Sequence, residues 1–405
     1  MSPPRTSVVI ASRGRPVHLR MCLQSLSLQD HQDFEVVLVA DREGLAQSPS
    51  LPIKRIAFDA PNISAARNLG LSQAAGEVIA FIDDDAIAEP TWLSRLTVPF
   101  NEPDVIAATG WTREGDGFRW QTRSQLMTAS GRAEDIELPE SGIYLRAASE
   151  GKAVSTIGTN CAFRSTALHR IGGFDPAFAF HLDESDVNMR LSRRFPGSLT
   201  AIVPQAQVIH ARAQSTRRSR SGVSRDLTAQ GRSLALFQRR YSGTPVRPGL
   251  KEVRQRLLRN MVDGALDPLH IPAVLGSFRR GAKQGSQTSL PEEPSPRNDD
   301  PDPFLPFLSA SCNQNDSIIL AGWYWQAKNL RDKAQQQVRF NRVVTIILFT
   351  PTFLPHRVRL TKGGWFEQTG GVWGKSDPDD PPAMMSRFRD RCDLEISRAK
   401  RRRIR

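Results

Sequence analysis

Short apolar runs alternate with amphipathic stretches through the first half of the chain. Ser7-Val-Val-Ile10 is a β-branched run that predicts a strand, and Ser12-Arg-Gly-Arg-Pro16 behind it reads as a turn into a helix. Leu19, Cys22, Leu23 and Leu26 recur at three and four residues, so they share one helix face. Residues 34–39 predict a second strand ending at Asp41, and residues 53–58 a third. Residues 64–75 predict a helix that packs through Ala65, Ala66, Leu69 and Ala74 and closes at Gly76. A fourth strand, residues 78–82, runs straight into Asp83-Asp84-Asp85.

Strands that alternate with helices and are apolar on both faces belong to a mainly parallel sheet covered by helices, an α/β fold. Ligands bind outside the carboxyl ends of such strands, where Ser12, Asp41 and Asp83 to Asp85 fall. Beyond Trp111 the pattern weakens, and residues 113–155 read as loops and short elements. Order returns with a strand at residues 158–163, a helix at 165–171, the turn Gly172-Gly-Phe-Asp-Pro176 and a helix starting near Leu182. Four parts follow: an α/β domain over residues 1–215, a basic and partly helical segment over 216–283, a linker over 284–303 and a smaller C-terminal module over 304–405. The last part has strand-like runs at 317–320 and 343–349 and four of the seven Trp, which read as core.

At 405 residues, two domains are expected. The longest apolar stretches are strand-sized, so no membrane span is predicted, and residues 1–5 lack a secretory pattern; the expected location is cytoplasmic. Four scattered cysteines, Cys22, Cys161, Cys312 and Cys392, suggest neither a zinc ribbon nor a disulfide framework. The net charge of +13 is concentrated: residues 212–283 hold sixteen Lys/Arg against four Asp/Glu. Such a segment suits an anionic surface, by which the chain would sit peripherally at the inner face of the membrane, or it is a solvated helical face.

Three consecutive carboxylates after a buried strand repel one another, a cost that a divalent cation removes. Mg²⁺ and Mn²⁺ take oxygen ligands and share them with substrate phosphates, so Asp83 and Asp85 form a candidate pair; the alternative is a solvated acidic turn. Asp183-Glu-Ser-Asp186 opens a helical pattern, where it is either an N-terminal cap or the source of a general base. His210 ends the apparent strand from Ala206, as a structural residue or a third metal ligand.

In order along the chain, this set resembles the family 2 glycosyltransferases, an inverting group with the GT-A fold. The matching pieces are Ser7-Val-Val-Ile-Ala-Ser-Arg-Gly-Arg-Pro16, Phe34-Glu-Val-Val-Leu-Val-Ala-Asp41, Asn62-Ile-Ser-Ala-Ala-Arg-Asn-Leu-Gly70 and Gly76-Glu-Val-Ile-Ala-Phe-Ile-Asp-Asp-Asp85. They continue with Gly158-Thr-Asn160, Gly172-Gly-Phe-Asp-Pro176, Asp183-Glu-Ser-Asp-Val-Asn-Met-Arg190 and His210, and cover about half of the chain. The resemblance implies a nucleotide-sugar donor and transfer of its sugar, with inversion and a Mn²⁺ or Mg²⁺ ion, to a hydroxyl of a glycan or lipid-linked glycan. It implies a donor site formed by Ser12, Arg13, Asp41, Arg67, Asn68, Asp83 and Asp84, with Asn160 lining the sugar and acceptor pocket. Asp83, Asp85 and His210 would hold the metal, and Glu184 would be the base, with Asp183 and Asp186 as the other candidates. Two departures stand out: Ala40 where many relatives have Asp, and Asp183-Glu184 where many have Glu-Asp.

A Rossmann dehydrogenase is excluded because Ala11-Ser-Arg-Gly-Arg15 has one glycine where a glycine-rich turn is needed. Gly370-Gly-Val-Trp-Gly-Lys-Ser376 falls short of a phosphate-binding loop, since Thr369 stands at its first glycine, and reads as a turn between strands. A nucleotidyltransferase would share the sheet and metal but lacks its glycine-rich, basic opening loop. The alternative from another class is a nucleic-acid- or anionic-surface-binding protein with a non-catalytic domain, gripping through the basic segment and the tail from Arg398. No nucleic-acid-binding motif is present, so none is expected as a partner.

Overall fold

The computed structural model describes residues 2–149, 151–211, 223–243, 247–307 and 317–404. The chain opens with β1 (Thr6–Ser12), α1 (Pro16–Leu26), β2 (Phe34–Ala40), α2 (Arg42–Leu45), β3 (Lys54–Ala57), α3 (Ile63–Ser72) and β4 (Val78–Phe81). β4, β1, β2 and β3 lie side by side and parallel. Their apolar residues alternate between two cores, as successive strand residues must. Val8, Ile10, Val36 and Leu38 pack under α1. Val9, Val37, Ile79 and Phe81 pack on the opposite face. α3 is capped by Asn62, whose side chain accepts from the Ala65 N–H. It lies so close to the sheet that a Cβ at Gly70 would collide with Val9.

The acidic triplet leads into β5 (Ala86–Ala88) and α4 (Trp92–Thr97), then β6 (Val105–Glu114), β7 (Trp120–Thr122), β8 (Ser124–Thr128), β9 (Ala133–Ile136), β10 (Tyr144–Ala147) and β11 (Lys152–Val154). The stretch 113–155, expected to hold loops and short elements, is made of short strands joined by loops. β8, β9 and β11 form an antiparallel sheet. These strands have three to five residues, and β9 and β10 are largely solvated, so no apolar period marks them. β12 (Cys161–Arg164), α5 (Ser165–Arg170), α6 (Asp183–Arg194) and β13 (Leu199–His210) complete the main sheet. Its order is β10-β13-β6-β12-β4-β1-β2-β3, with β12 antiparallel between β6 and β4 and β13 parallel to β6.

The basic segment supplies α7 (Thr228–Tyr241), α8 (Arg247–Val262) and α9 (Ile271–Gln287); residues 212–222 and 244–246 of it lie outside the described residues. These helices share a core with Phe178, Leu182 and Met189. The segment read as a linker is strapped to the α/β domain. The Arg297 N–H donates to the His169 carbonyl and the Phe307 N–H to that of Phe34. Lys54 Nζ donates to the Asp302 carbonyl, and Phe307 is buried against Phe34 with ring centres 5.1 Å apart.

The C-terminal part contains β14 (Ile318–Trp323), α10 (Ala327–Val338), β15 (Val344–Thr350), β16 (Arg357–Leu360), β17 (Phe366–Gly371) and α11 (Phe388–Arg403). Its sheet runs β14-β15-β17-β16, with α10 packed on one face and α11 on the other. Gly370 and Gly371, expected in a turn between strands, end β17, and the loop after them leads to α11. Trp365 is buried and Trp323 and Trp373 half-buried, but Trp325 is 68% exposed, against the reading of all four as core. Val358, Leu360 and Phe366 share a cluster with Leu28, Phe118 and Ile209, so the two sheets meet through an apolar contact.

Candidate active site

The carboxyl ends of β1, β2 and β4 open onto a cavity of about 440 Å³ lined by Ser12, Arg13, Arg15, Asp41, Asn62 and Asp84, among others. After β1 the chain turns at Gly14, whose φ of +69° suits glycine, and enters α1 at Pro16. Asp41 ties two loops together. One of its oxygens takes the Gly14 N–H at 2.6 Å and the other caps α2 through the Gly44 N–H at 2.7 Å. Arg13 reaches Asp59 at 2.6 Å on the rim.

The three aspartates after β4 face different partners. Asp84 is buried, accepts from Ser12 Oγ at 2.7 Å and pairs with Arg15 Nη1 at 3.0 Å. Burial raises its carboxyl to about 7, with Arg15 opposing the rise and Asp85 adding to it. Asp83 accepts from Thr159 Oγ1 at 2.5 Å and lies 3.4 Å from Arg67 Nη2. Asp85 points one oxygen at His210 Nε2, 3.1 Å away, and the other at Arg15 Nη1, 2.8 Å away.

His210 ends β13 opposite Ala86, which brings the far end of the sheet onto the triplet. Its Nδ1 lies 3.1 Å from Gln121 Oε1. With Nδ1–H donating there, Nε2 presents its electron pair to Asp85 at 3.1 Å and Asp83 at 3.9 Å. Ligand atoms of Asp83, Asp85 and His210 all lie within 4.8 Å of one another. Three acceptors that converge in this way suit a divalent cation of the Mg²⁺ or Mn²⁺ type.

Beside them, α6 starts after His181 and Leu182, both left-handed at φ +74° and +62°. Such backbone is costly for residues with side chains. It sets Asp183 and Glu184 on Arg67, whose Nη1 contacts both at 2.5 Å. Arg67 comes from α3, is buried, and stacks over Phe81 and Phe174. Burial works against its charge, but Glu184, Asp183 and Asp83 raise it above the ordinary arginine value. Burial and the neighbouring Glu184 push Asp183 well up, whereas Arg67 overcomes burial and holds Glu184 below the usual range. Both carboxyls thus meet one guanidinium nitrogen, and the surroundings favour the ionised form of Glu184 over that of Asp183. A Cβ at Gly158 would strike the Glu184 carboxylate and the Arg67 guanidinium, so glycine there keeps this junction closed.

Other expected residues lie elsewhere. Asp186 is fully buried, with Arg190, Arg240 and Tyr241 at 2.7 Å, and braces α6 against α7. Asn160 is equally buried, taking the Trp92 indole N–H and donating to the carbonyls of Trp111 and Ala206. It supports the floor and does not line the cavity. Asn68 exchanges hydrogen bonds with the backbone of Phe174. Arg15, Thr159 and Gln121 were missed: Arg15 sat in the Ser12-Arg-Gly-Arg15 turn, whereas nothing local marks Thr159 or Gln121.

Residues 7–172 match the family model described as glycosyl transferase family 2. The chain is 25% identical over 228 residues to the O-antigen biosynthesis protein RfbC of Myxococcus xanthus, covering 53% of this chain and 18% of that one. It is 31% identical over 116 residues to the putative glycosyltransferase EpsH of Bacillus subtilis, covering 26% of this chain and 33% of that one. It is also 27% identical over 283 residues to an N-acetylglucosaminyl-diphospho-decaprenol L-rhamnosyltransferase of Mycobacterium tuberculosis, covering 58% and 85%. The chain thus spans a third or less of the first two relatives.

Proposed function

We propose that the chain is a family 2 glycosyltransferase, whose model residues 7–172 match, and that it moves a sugar from a nucleotide-sugar donor to an acceptor hydroxyl with inversion, using Mn²⁺ or Mg²⁺. The observation that carries this reading is the convergence of Asp83, Asp85 and His210 next to Asp84 and Arg15, which line the cavity, with Arg67 joining Asp83 to Glu184. In this reading the catalytic unit is residues 1–215, the helices to residue 283 wall it, and residues 304–405 brace it.

Asp41 and the Ser12 to Arg15 turn would receive the nucleotide, and Asp83 its ribose or the metal. A bound divalent cation would supply the positive charge that offsets the departing diphosphate. Glu184 takes the proton of the acceptor hydroxyl as its oxygen bonds to the anomeric carbon and the bond to the diphosphate breaks. Arg67, in contact with both Asp183 and Glu184, holds Glu184 in place.

A lipid-linked glycan acceptor fits the mycobacterial relative's name and α8, which exposes Lys251, Arg254, Arg259 and the apolar Leu258 and Val262. These exposed residues would rest against an anionic bilayer. No helix among the described residues is long and apolar enough to cross a membrane. The experiment is thermal stabilisation by a panel of nucleoside diphosphates with and without Mn²⁺, on the wild type and Asp85→Ala. Stabilisation by one nucleotide that needs both metal and Asp85 supports the reading; no metal-dependent shift with any nucleotide overturns it.

A further inference from the structure

Arg15 lies where the carboxylate cluster meets the cavity. Its Nη1 contacts Asp84 at 3.0 Å and Asp85 at 2.8 Å, and on Asp85 it takes the oxygen that does not face His210. One nitrogen thus serves two carboxylates, while Nε is buried without a hydrogen-bond partner. A guanidinium has five N–H donors in a fork that suits two oxygens of one anion, and here it is engaged edgewise. The side chain remains 29% exposed and lines the cavity beside Ser12 and Asp41.

The same corner holds a second feature suited to an anion. α1 has eleven residues, no side-chain cap and no acidic residue in its first turn. Its positive end, which starts at Arg15, thus meets no anion from the helix's own first turn.

We propose that Arg15 alternates between two anions: it bridges Asp84 and Asp85 in the metal-free chain and turns onto the donor's diphosphate once a divalent cation joins Asp83, Asp85 and His210. The inference rests on the donor-site reading above. A cation beside Asp85 removes much of the negative charge that holds the guanidinium. The same cation brings diphosphate oxygens to the cavity side of the cluster, where the fork can meet two of them. Asp84 keeps its hydrogen bond from Ser12. Arg15 is then a positioning residue that makes diphosphate binding depend on metal, without touching the reacting carbon.

The test is calorimetric and needs no turnover. Mn²⁺ alone, and then the uridine, guanosine, cytidine, adenosine and thymidine diphosphates and monophosphates in saturating Mn²⁺, are titrated into wild type, Arg15→Gln and Arg15→Lys. Arg15→Gln is expected to bind Mn²⁺ alone about tenfold more tightly, because a competing cation is gone. It is expected to bind the preferred diphosphate about tenfold more weakly while the monophosphate changes much less, the loss of a charge-assisted hydrogen bond to the outer phosphate. Arg15→Lys keeps the charge, guards against a folding artefact, and should match wild type for Mn²⁺ and fall between the two for the diphosphate. Unchanged diphosphate affinity in Arg15→Gln, or weaker Mn²⁺ binding, overturns the proposal while the donor site stands. A wild type that binds no diphosphate with Mn²⁺ overturns both.

Discussion

Arg403, in the last turn of α11, closes a bidentate ion pair on Glu89, 314 residues earlier in the chain, at 2.8 and 3.2 Å. Glu89 follows β5, which hydrogen-bonds to the end of β13 that carries His210. The contact is reinforced nearby: Thr91 Oγ1 donates to the Arg402 carbonyl, and Arg95 Nη2 to those of Arg401 and Ile404. A cation at these last carbonyls also complements the negative end of α11. The C-terminal helix therefore holds both sides of the segment that follows the aspartate triplet.

Both partners are buried, so removing one leaves an uncompensated charge. Arg403→Gln or Glu89→Gln should cost about 3–5 kcal/mol of stability. The double substitution Glu89→Gln with Arg403→Gln should cost less than the sum of the singles, by the coupling of a direct pair. Denaturant unfolding of the four proteins measures this, and strict additivity would rule the pair out as a working contact.

Glu184→Gln removes the proposed base while its amide can still meet Arg67. Turnover should fall by about 10²–10⁴-fold, with Mn²⁺-dependent nucleotide binding kept within a few fold. Asp183→Asn should lose far less, because burial and the neighbouring Glu184 make Asp183 the less readily ionised of the two. Initial rates with donor and acceptor decide between them; equal losses would assign the proton transfer to the pair as a unit.

Asp85→Ala takes away the ligand that faces both His210 and Arg15. Mn²⁺-dependent stabilisation by the preferred diphosphate should disappear. Asp186→Asn should keep it and lower the melting temperature instead, since Asp186 binds Arg190, Arg240 and Tyr241. Differential scanning fluorimetry separates the two; a metal-dependent shift that survives in Asp85→Ala removes Asp85 from the metal site.

What the sequence made legible follows from how local each signal is. β1, β2 and β4 are apolar on both faces, and such runs have few places to go but the middle of a covered sheet. Asp83 and Asp85 could be read because a buried strand ends directly before them. The short solvated strands between Trp120 and Ala147 could not, because only their partners define them. Asn160 and Asp186 look functional in sequence, yet a polar residue in a strand turn or a helix's first turn gains its role from what it meets in space. Asn160 meets Trp92, Trp111 and Ala206, and Asp186 meets Tyr241, all distant along the chain. Gln121 illustrates the converse: an unremarkable residue that orients His210.

His356 offers a test of acid stability away from the metal. It is buried between β16 and β17, where Nε2 donates to the Gly371 carbonyl and Nδ1 accepts from Gln368. Burial lowers it from 6.5 to about 4, with Glu395 opposing the fall. The unfolded chain takes up a proton near pH 6.5, but the folded chain resists until about pH 4. In that window the unfolded state binds more protons, so stability rises with pH. The contribution is complete above pH 6.5 and lost as pH falls toward 4, at most about 3 kcal/mol. His181, also lowered to about 4 chiefly by burial, acts in the same direction. His356→Gln should therefore flatten part of the fall in stability between pH 6.5 and 4, leaving the share of His181. Unfolding free energies at pH 7, 6, 5 and 4 provide the check, and an unchanged slope would mean that His356 takes up its proton over the same pH range in the folded as in the unfolded chain.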